Sequence, residues 1–148
     1  ARARLAAESE WRGVDIVVSS TPRLTLRIPP GLLGLLVGNL LENAIKFSPP
    51  GGRVVVDVAE ANGEAVVSVT DSGPGIPAAQ VPRIFDRFFR GDPARSDSVP
   101  GVGLGLSICQ AIAERYDGAI AVSANPAGGS IFSVRLPLAR ADGPAIRT

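Results

Sequence analysis

The stretch from Gly31 to about Phe47 constrains this chain more than any other. It is largely apolar, yet it carries Asn39, Asn43 and Lys46. It is bracketed by Pro29-Pro30-Gly31 on one side and Ser48-Pro49-Pro50-Gly51-Gly52 on the other. Such punctuation stops a strand, opens a helix and ends it near Phe47. At about 100° per residue, Asn39, Asn43 and Lys46 fall within about 60° of one another. Leu33, Val37, Leu40, Leu41 and Ala44 lie on the opposite side, so the helix must cover a sheet or another helix.

The flanking segments supply that sheet. Val14–Val18 and Leu24–Ile28 are short strand candidates, separated by the turn signal Ser19-Ser20-Thr21-Pro22. Val54–Ala59 and Ala65–Val69 alternate like a half-buried hairpin around Asn62-Gly63. A short helix is expected around Ala78 to Phe85. A second long one is expected from Leu104 to Arg115, with Leu104, Ile108, Ala111 and Ile112 on one stripe. Ala119–Ser123 and Ser130–Leu136 form a closing hairpin, ended by Pro137. Helices that separate groups of adjacent strands predict an α+β two-layer sandwich, with helices on one face of a mixed, mostly antiparallel sheet. Residues 13–138 form the domain. Residues 1–12 read as a helix or linker remnant, and 139–148 as an unstructured tail.

Composition narrows the chemistry. A chain of 148 residues, 45% hydrophobic and 20% charged, can bury one sizeable core. Its net charge of +1 gives no argument for a nucleic-acid clamp or a membrane-surface patch. There is no His. That excludes a Ser-His-Asp triad, a zinc site with His ligands, and any imidazole acid or base from this chain. The one cysteine, Cys109, forms no internal disulfide, which points to a reducing compartment. No apolar run reaches the length of a membrane span. The chain starts at Ala1 and lacks Met, so a piece of a longer protein is expected.

Four motifs carry candidate chemistry. The Asn39, Asn43 and Lys46 stripe is either a solvated helix face or a site for Mg²⁺ and phosphate. An Asn carbonyl is a hard oxygen ligand, and an ammonium is a point charge for phosphate. The second motif, DSGPGIP at 71–77, is either a common turn or the seat of a flat ligand. Asp71 accepts hydrogen bonds only, so it suits the exocyclic amine of adenine and repels the carbonyl of guanine. GVGLGLS at 101–107 is either a hinge or an anion cradle at a helix N-terminus. It is neither a dinucleotide fingerprint nor a P-loop. In RIFDRFFRGD at 83–92, Phe85 is expected to plug the core, while Arg87 and Arg90 could reach a phosphate.

Together, in this order, these segments resemble the boxes of sensor histidine kinases. NLLENAIKF from Asn39 looks like the N box, DSGPGIP like the first glycine box and RIFDRFFRGD like the F box. GVGLGLS looks like the second glycine box, and GGSIFSVRLP from Gly128 resembles the strand that closes the domain. The resemblance covers about residues 31 to 137. It implies the Bergerat-type ATP-binding fold and the cofactors ATP and Mg²⁺.

The same resemblance implies site roles. Asn43 would hold Mg²⁺ with Asn39 beside it, and Lys46 would contact phosphates. Phe47 would lie against the adenine or ribose, and Asp71 would bind the adenine amine. Gly73, Gly75 and Ile76 would shape the pocket. Arg90, with Arg87, would steady the terminal phosphate. Gly101, Val102, Gly103, Leu104, Gly105 and Leu106 would form the nucleotide loop, within and beyond a lid at 91–103. Ser130 would touch adenine through water.

Two positions depart from the pattern. Val102 replaces a common small hydroxyl residue. Asn39 stands where water-splitting relatives carry a Glu base, so this chain lacks that means of activating water. Glu42 is read as a surface residue.

The resemblance further implies partners. The phosphoacceptor His would sit on an upstream hairpin domain that also makes the intact protein a homodimer. This domain alone would be a monomer. The phosphoryl would pass from that His to the Asp of a response-regulator receiver domain. The setting would be cytoplasmic, as part of a membrane-anchored sensor. The alternatives are an anti-sigma-type Ser/Thr kinase, an ATP hydrolase on the same fold, or a non-catalytic nucleotide-binding module.

Overall fold

A computed structural model describes residues 13–20, 23–86, 105–139 and 146–147. The first strand, β1 (Asp15–Ser20), is followed by the short β2 (Thr25–Leu26) and by helix α1 (Pro30–Phe47). Next come β3 (Arg53–Ala61), β4 (Glu64–Thr70) and a single 3₁₀ turn (Val81–Arg83). Helix α2 (Gly105–Arg115), β5 (Ala119–Ala124), β6 (Ser130–Pro137) and β7 (Ile146–Arg147) complete the order.

Five strands form one sheet in the order β1-β3-β4-β6-β5. β1 runs parallel to β3, and the other neighbours are antiparallel. The β3–β4 hairpin turns on Asn62 and Gly63, whose φ values of 55° and 78° are both positive. That is the conformation whose twist matches a two-residue hairpin, and Asn-Gly favours it. Val54, Val56, Val67, Val69, Phe132, Val134 and Leu136 point to one face and are buried there. The helices cover that face with Leu36, Leu40, Ala44 and Ile45 of α1 and Cys109, Ile112 and Ala113 of α2. The expected mixed sheet with helices on one side is therefore present.

The bounds of α1 follow from its prolines. Pro30 sits in the first turn, and the Pro29 carbonyl accepts from the amides of Leu32 and Leu33. At the other end Ser48 is extended, with ψ 141°. A residue before proline avoids helical angles, and Pro49 follows.

Four expectations change. The helix expected near residues 78–85 is a series of tight turns around Val81–Arg83. Pro82 has no amide hydrogen and its ring crowds the preceding turn, so only i→i−3 bonds form. The buried side of α2 is Cys109, Ile112 and Ala113, while Ile108 is 37% exposed. Small Cys and Ala side chains let α2 approach α1, and the Cys109 thiol lies 3.4 Å from the Leu36 carbonyl. The strand expected over Leu24–Ile28 is only two residues long, because Pro29-Pro30 begins the helix. The tail is not wholly without structure. Ile146 and Arg147 pair antiparallel with Leu26 and Thr25.

Phe85 meets Phe132 edge to face, with ring centroids 6.4 Å apart. This is the core plug expected of it. Among the described residues, no helix is long and apolar enough to cross a membrane.

Candidate functional site

Asp71 follows the end of β4 and is only 5% exposed. Its backbone amide donates to the Ser130 carbonyl at 3.0 Å. Its Oδ1 accepts from the amides of Gly73 at 2.9 Å and Ser130 at 3.1 Å. Among the described residues nothing donates to Oδ2. Burial pushes the Asp71 carboxyl above its ordinary value, and the two backbone amides partly offset that rise. One oxygen is thus fixed by the protein, while the other remains an acceptor in a poorly hydrated place.

The loop carrying Asp71 is tied at three points. The Ser72 amide donates to the hydroxyl of buried Ser48 at 3.2 Å. The Ser72 hydroxyl accepts from the Arg53 amide at 2.8 Å and donates to the Arg53 carbonyl. Gly73 lies against the end of α1, where a Cβ would come within 2.6 Å of the Phe47 carbonyl oxygen. Gly75 adopts φ 83° and faces the Gly129 carbonyl, an arrangement that favours glycine. Ile76 is half-buried against the core. The fold therefore brings together Phe47, Asp71, Gly73, Gly75 and Ser130.

Lys46 precedes Phe47 and extends this cluster along α1. Its ammonium lies 3.1 Å from Glu42 Oε1, with the two side chains 17% and 21% exposed. The expectation that Glu42 is a surface residue is corrected by this contact. One helical turn places it directly beneath Lys46, and the pair is half-buried. Asn39 and Asn43 are half-buried on the same helix. The Asn39 Nδ2 atom is buried and has no hydrogen-bond partner among the described residues. A buried donor left unpaired costs free energy, so the position fits an anionic oxygen such as phosphate. No described group of three or more His, Cys, Asp or Glu could hold a metal ion. A divalent cation here would use an amide oxygen and water, which suits Mg²⁺.

Gly105 opens α2, and Leu106 packs against the core. The packing of α2 on α1 places both. Arg87, Arg90, Gly101, Val102, Gly103, Leu104 and the whole of the lid expected at 91–103 lie outside the described residues. Sequence reasoning missed the part played by Gly129. Its signal was its place in GGSIFSVRLP, which points to the closing strand and not to Asp71.

Comparison with known proteins agrees with this architecture. Residues 29–140 match the family of histidine kinase-, DNA gyrase B-, and HSP90-like ATPases. The sensor-like histidine kinase SenX3 of Mycobacterium tuberculosis is 38% identical over 138 residues, covering 92% of this chain and 33% of its own length. The sensor protein KdpD of Escherichia coli is 40% identical over 117 residues, covering 78% of this chain and 13% of its own length. This chain therefore spans about a third or less of these relatives. Among solved structures, the mycobacterial sensor histidine kinase MprB superposes with a TM-score of 0.78 at 36% identity, over 93% of this chain and 91% of that one. Full-length ShkA in complex with AMPPNP gives 0.79 at 28% identity, over 96% of this chain and 29% of that one. The chain belongs to the histidine kinase-, DNA gyrase B- and HSP90-like ATPase family, as an ATP-binding catalytic domain of the sensor-histidine-kinase kind.

Proposed function

We propose that this domain binds Mg-ATP and donates the γ-phosphoryl group to a histidine on a separate hairpin domain. The observation that carries the reading is Asp71, a buried carboxylate with one oxygen held by backbone amides and the other left as an acceptor. Asp71 Oδ2 accepts from the adenine amine. Phe47 lies against the adenine or ribose, between walls formed by Gly73, Gly75 and Ile76, and Ser130 closes the far side. Lys46, Arg87 and Arg90 bind phosphate oxygens, and the unpaired Asn39 Nδ2 donates to another. Asn43 offers its side-chain oxygen to Mg²⁺. The metal neutralises charge on the phosphates when bound. Backbone amides of residues 101–106 cradle the triphosphate as the lid closes.

Catalysis by these residues is positioning and charge neutralisation. A ring nitrogen of the accepting histidine forms a bond to the γ-phosphorus. The bond from that phosphorus to the β–γ bridging oxygen breaks, ADP leaves, and the imidazole gives up a proton. A second transfer to the Asp of a response regulator follows, in the cytoplasmic part of a sensor. The hydrolase alternative requires a general base on α1. Asn39 is not one, and Glu42 is engaged by Lys46.

The test supplies the chain with Mg²⁺, ATP labelled at the γ-phosphate, and a histidine-bearing hairpin domain. Transfer of label to the hairpin is expected, and Asn43→Ala is expected to abolish it. Undiminished transfer by that variant would remove Asn43 from the metal site. Release of free phosphate without labelled hairpin would favour a hydrolase.

A further inference from the structure

Gly129 lies at the entry to β6, with φ 94°. A Cβ built there would strike the Asp71 carbonyl oxygen and come within 2.8 Å of Asp71 Oδ1. No flexible side-chain tip could move aside to relieve this, since the first obstacle is backbone. The bare backbone of Gly129 is what lets the start of β6 press against the Asp71 loop. Its neighbour Ser130, 3% exposed, then exchanges two hydrogen bonds with Asp71. The Asp71 amide donates to the Ser130 carbonyl at 3.0 Å, and the Ser130 amide donates to Asp71 Oδ1 at 3.1 Å. With Gly73 as the other donor, Oδ1 is held from both its own loop and a distant strand. The carboxylate plane is thereby set, and only Oδ2 remains to meet a ligand.

An acceptor that cannot rotate discriminates by geometry. It matches an amine hydrogen in one place, and it cannot turn away to relieve the repulsion of a carbonyl oxygen there. We propose that Gly129 is a positioning residue for base selection: by admitting the Ser130 amide to Asp71 Oδ1, it fixes Oδ2 as the one acceptor that favours an amino-purine over an oxo-purine nucleotide. This rests on the nucleotide reading above.

The test titrates the chain with ATP and with GTP across a range of pH. Four variants are compared: Gly129→Ala, Gly128→Ala, Asp71→Asn, and a semisynthetic chain whose Ser130 amide is replaced by an ester. Gly128 also has positive φ, 104°, but a Cβ there meets nothing within 4 Å, so its variant reports turn strain alone. The ester removes one N–H donor and adds no atoms, so it remains informative if Gly129→Ala does not fold. Loss of a hydrogen bond to a charged group is expected to cut the ATP-over-GTP preference about tenfold or more in Gly129→Ala and in the ester. Both should also move the acid limb of ATP binding to higher pH, because the buried carboxylate loses a donor that favours its charged form. Gly128→Ala should keep the preference and the profile. An ester variant with unchanged preference and profile overturns the proposal, and so does a Gly128→Ala variant that loses them equally. An Asp71→Asn variant with unchanged preference instead refutes the nucleotide reading itself.

Discussion

Replacing Asp71 by Asn should change the sign of a stability comparison according to whether ATP is present. In the empty chain, burial raises the Asp71 carboxyl above its ordinary value. A raised acid value means that the folded state binds the proton more tightly than the unfolded state. The group's contribution is therefore fully present below the ordinary carboxylate value and is lost as pH rises through the raised one. An Asn keeps an oxygen to accept from Gly73 and Ser130 but carries no charge to desolvate. At neutral pH the empty variant should melt at the higher temperature, and the difference should shrink toward acid. With ATP the order should reverse. The variant turns Oδ2 into a donor facing another donor, at a cost of about 1.5–3 kcal/mol, or roughly 10- to 150-fold in affinity. At ATP near 100 times its dissociation constant, the parent gains about 2.7 kcal/mol, or about 5–11 °C for a domain of this size. A variant weakened a hundredfold gains about 0.4 kcal/mol under the same conditions, or about 1–2 °C. Thermal melts with and without Mg-ATP, between acid and neutral pH, read all of this. A variant that melts lower when empty at neutral pH, or that keeps the full ATP-induced rise, would refute the reasoning.

Two further outcomes follow from the neighbouring contacts. Lys46→Met should weaken ATP and ADP about tenfold while sparing adenosine, because the phosphates are the part of the nucleotide that would use this charge. Glu42→Gln should strengthen ATP binding about two- to fivefold at low salt, by removing the negative charge 3.1 Å from the ammonium, and the gain should fade at high salt. Titrations at two ionic strengths check both. The Cys109 thiol, pushed up to about 12 by burial, should not react with a thiol reagent at pH 8 in the folded chain. Its labelling rate should rise with denaturant in step with loss of helix, and fast labelling of the native chain would contradict the packing of α2 on α1.

Local chemistry made much of this molecule legible in the sequence. Pro-Pro-Gly and Ser-Pro-Pro set the bounds of α1, and Asn62-Gly63 set a hairpin, because each acts through its own dihedrals. The functional boxes were legible for the same reason: each is a short run of residues. What escaped depends on meetings between distant segments. Cys109 reads as a small core residue from the sequence and is one, but nothing near Leu104–Arg115 says that Ala113, rather than Ile108, faces the core. That choice is made by α1, which accepts small side chains at close range. Glu42 looked like surface until its ion pair with Lys46 was placed in a half-buried setting. Gly129 was legible only as the lead-in to the closing strand, since its constraint comes from Asp71, which it reaches only after the sheet has formed. The pairing of Ile146 with Leu26 lies at opposite ends of the chain, and periodicity over two residues carries no signal.

The strand order has a consequence for synthesis. β6 lies between β4 and β5 but leaves the ribosome after both. Until it arrives, β4 is an open edge with Val67 and Val69 uncovered by their partners Val134 and Phe132. Asp71 likewise waits for the Ser130 amide. A growing chain that ends before β6 therefore has the helix stripe and the Asp71 loop, but no set carboxylate and no closed sheet. The Asp71–Ser130 contact and the completed main sheet therefore form together, and a half-made chain depends on protection of that edge.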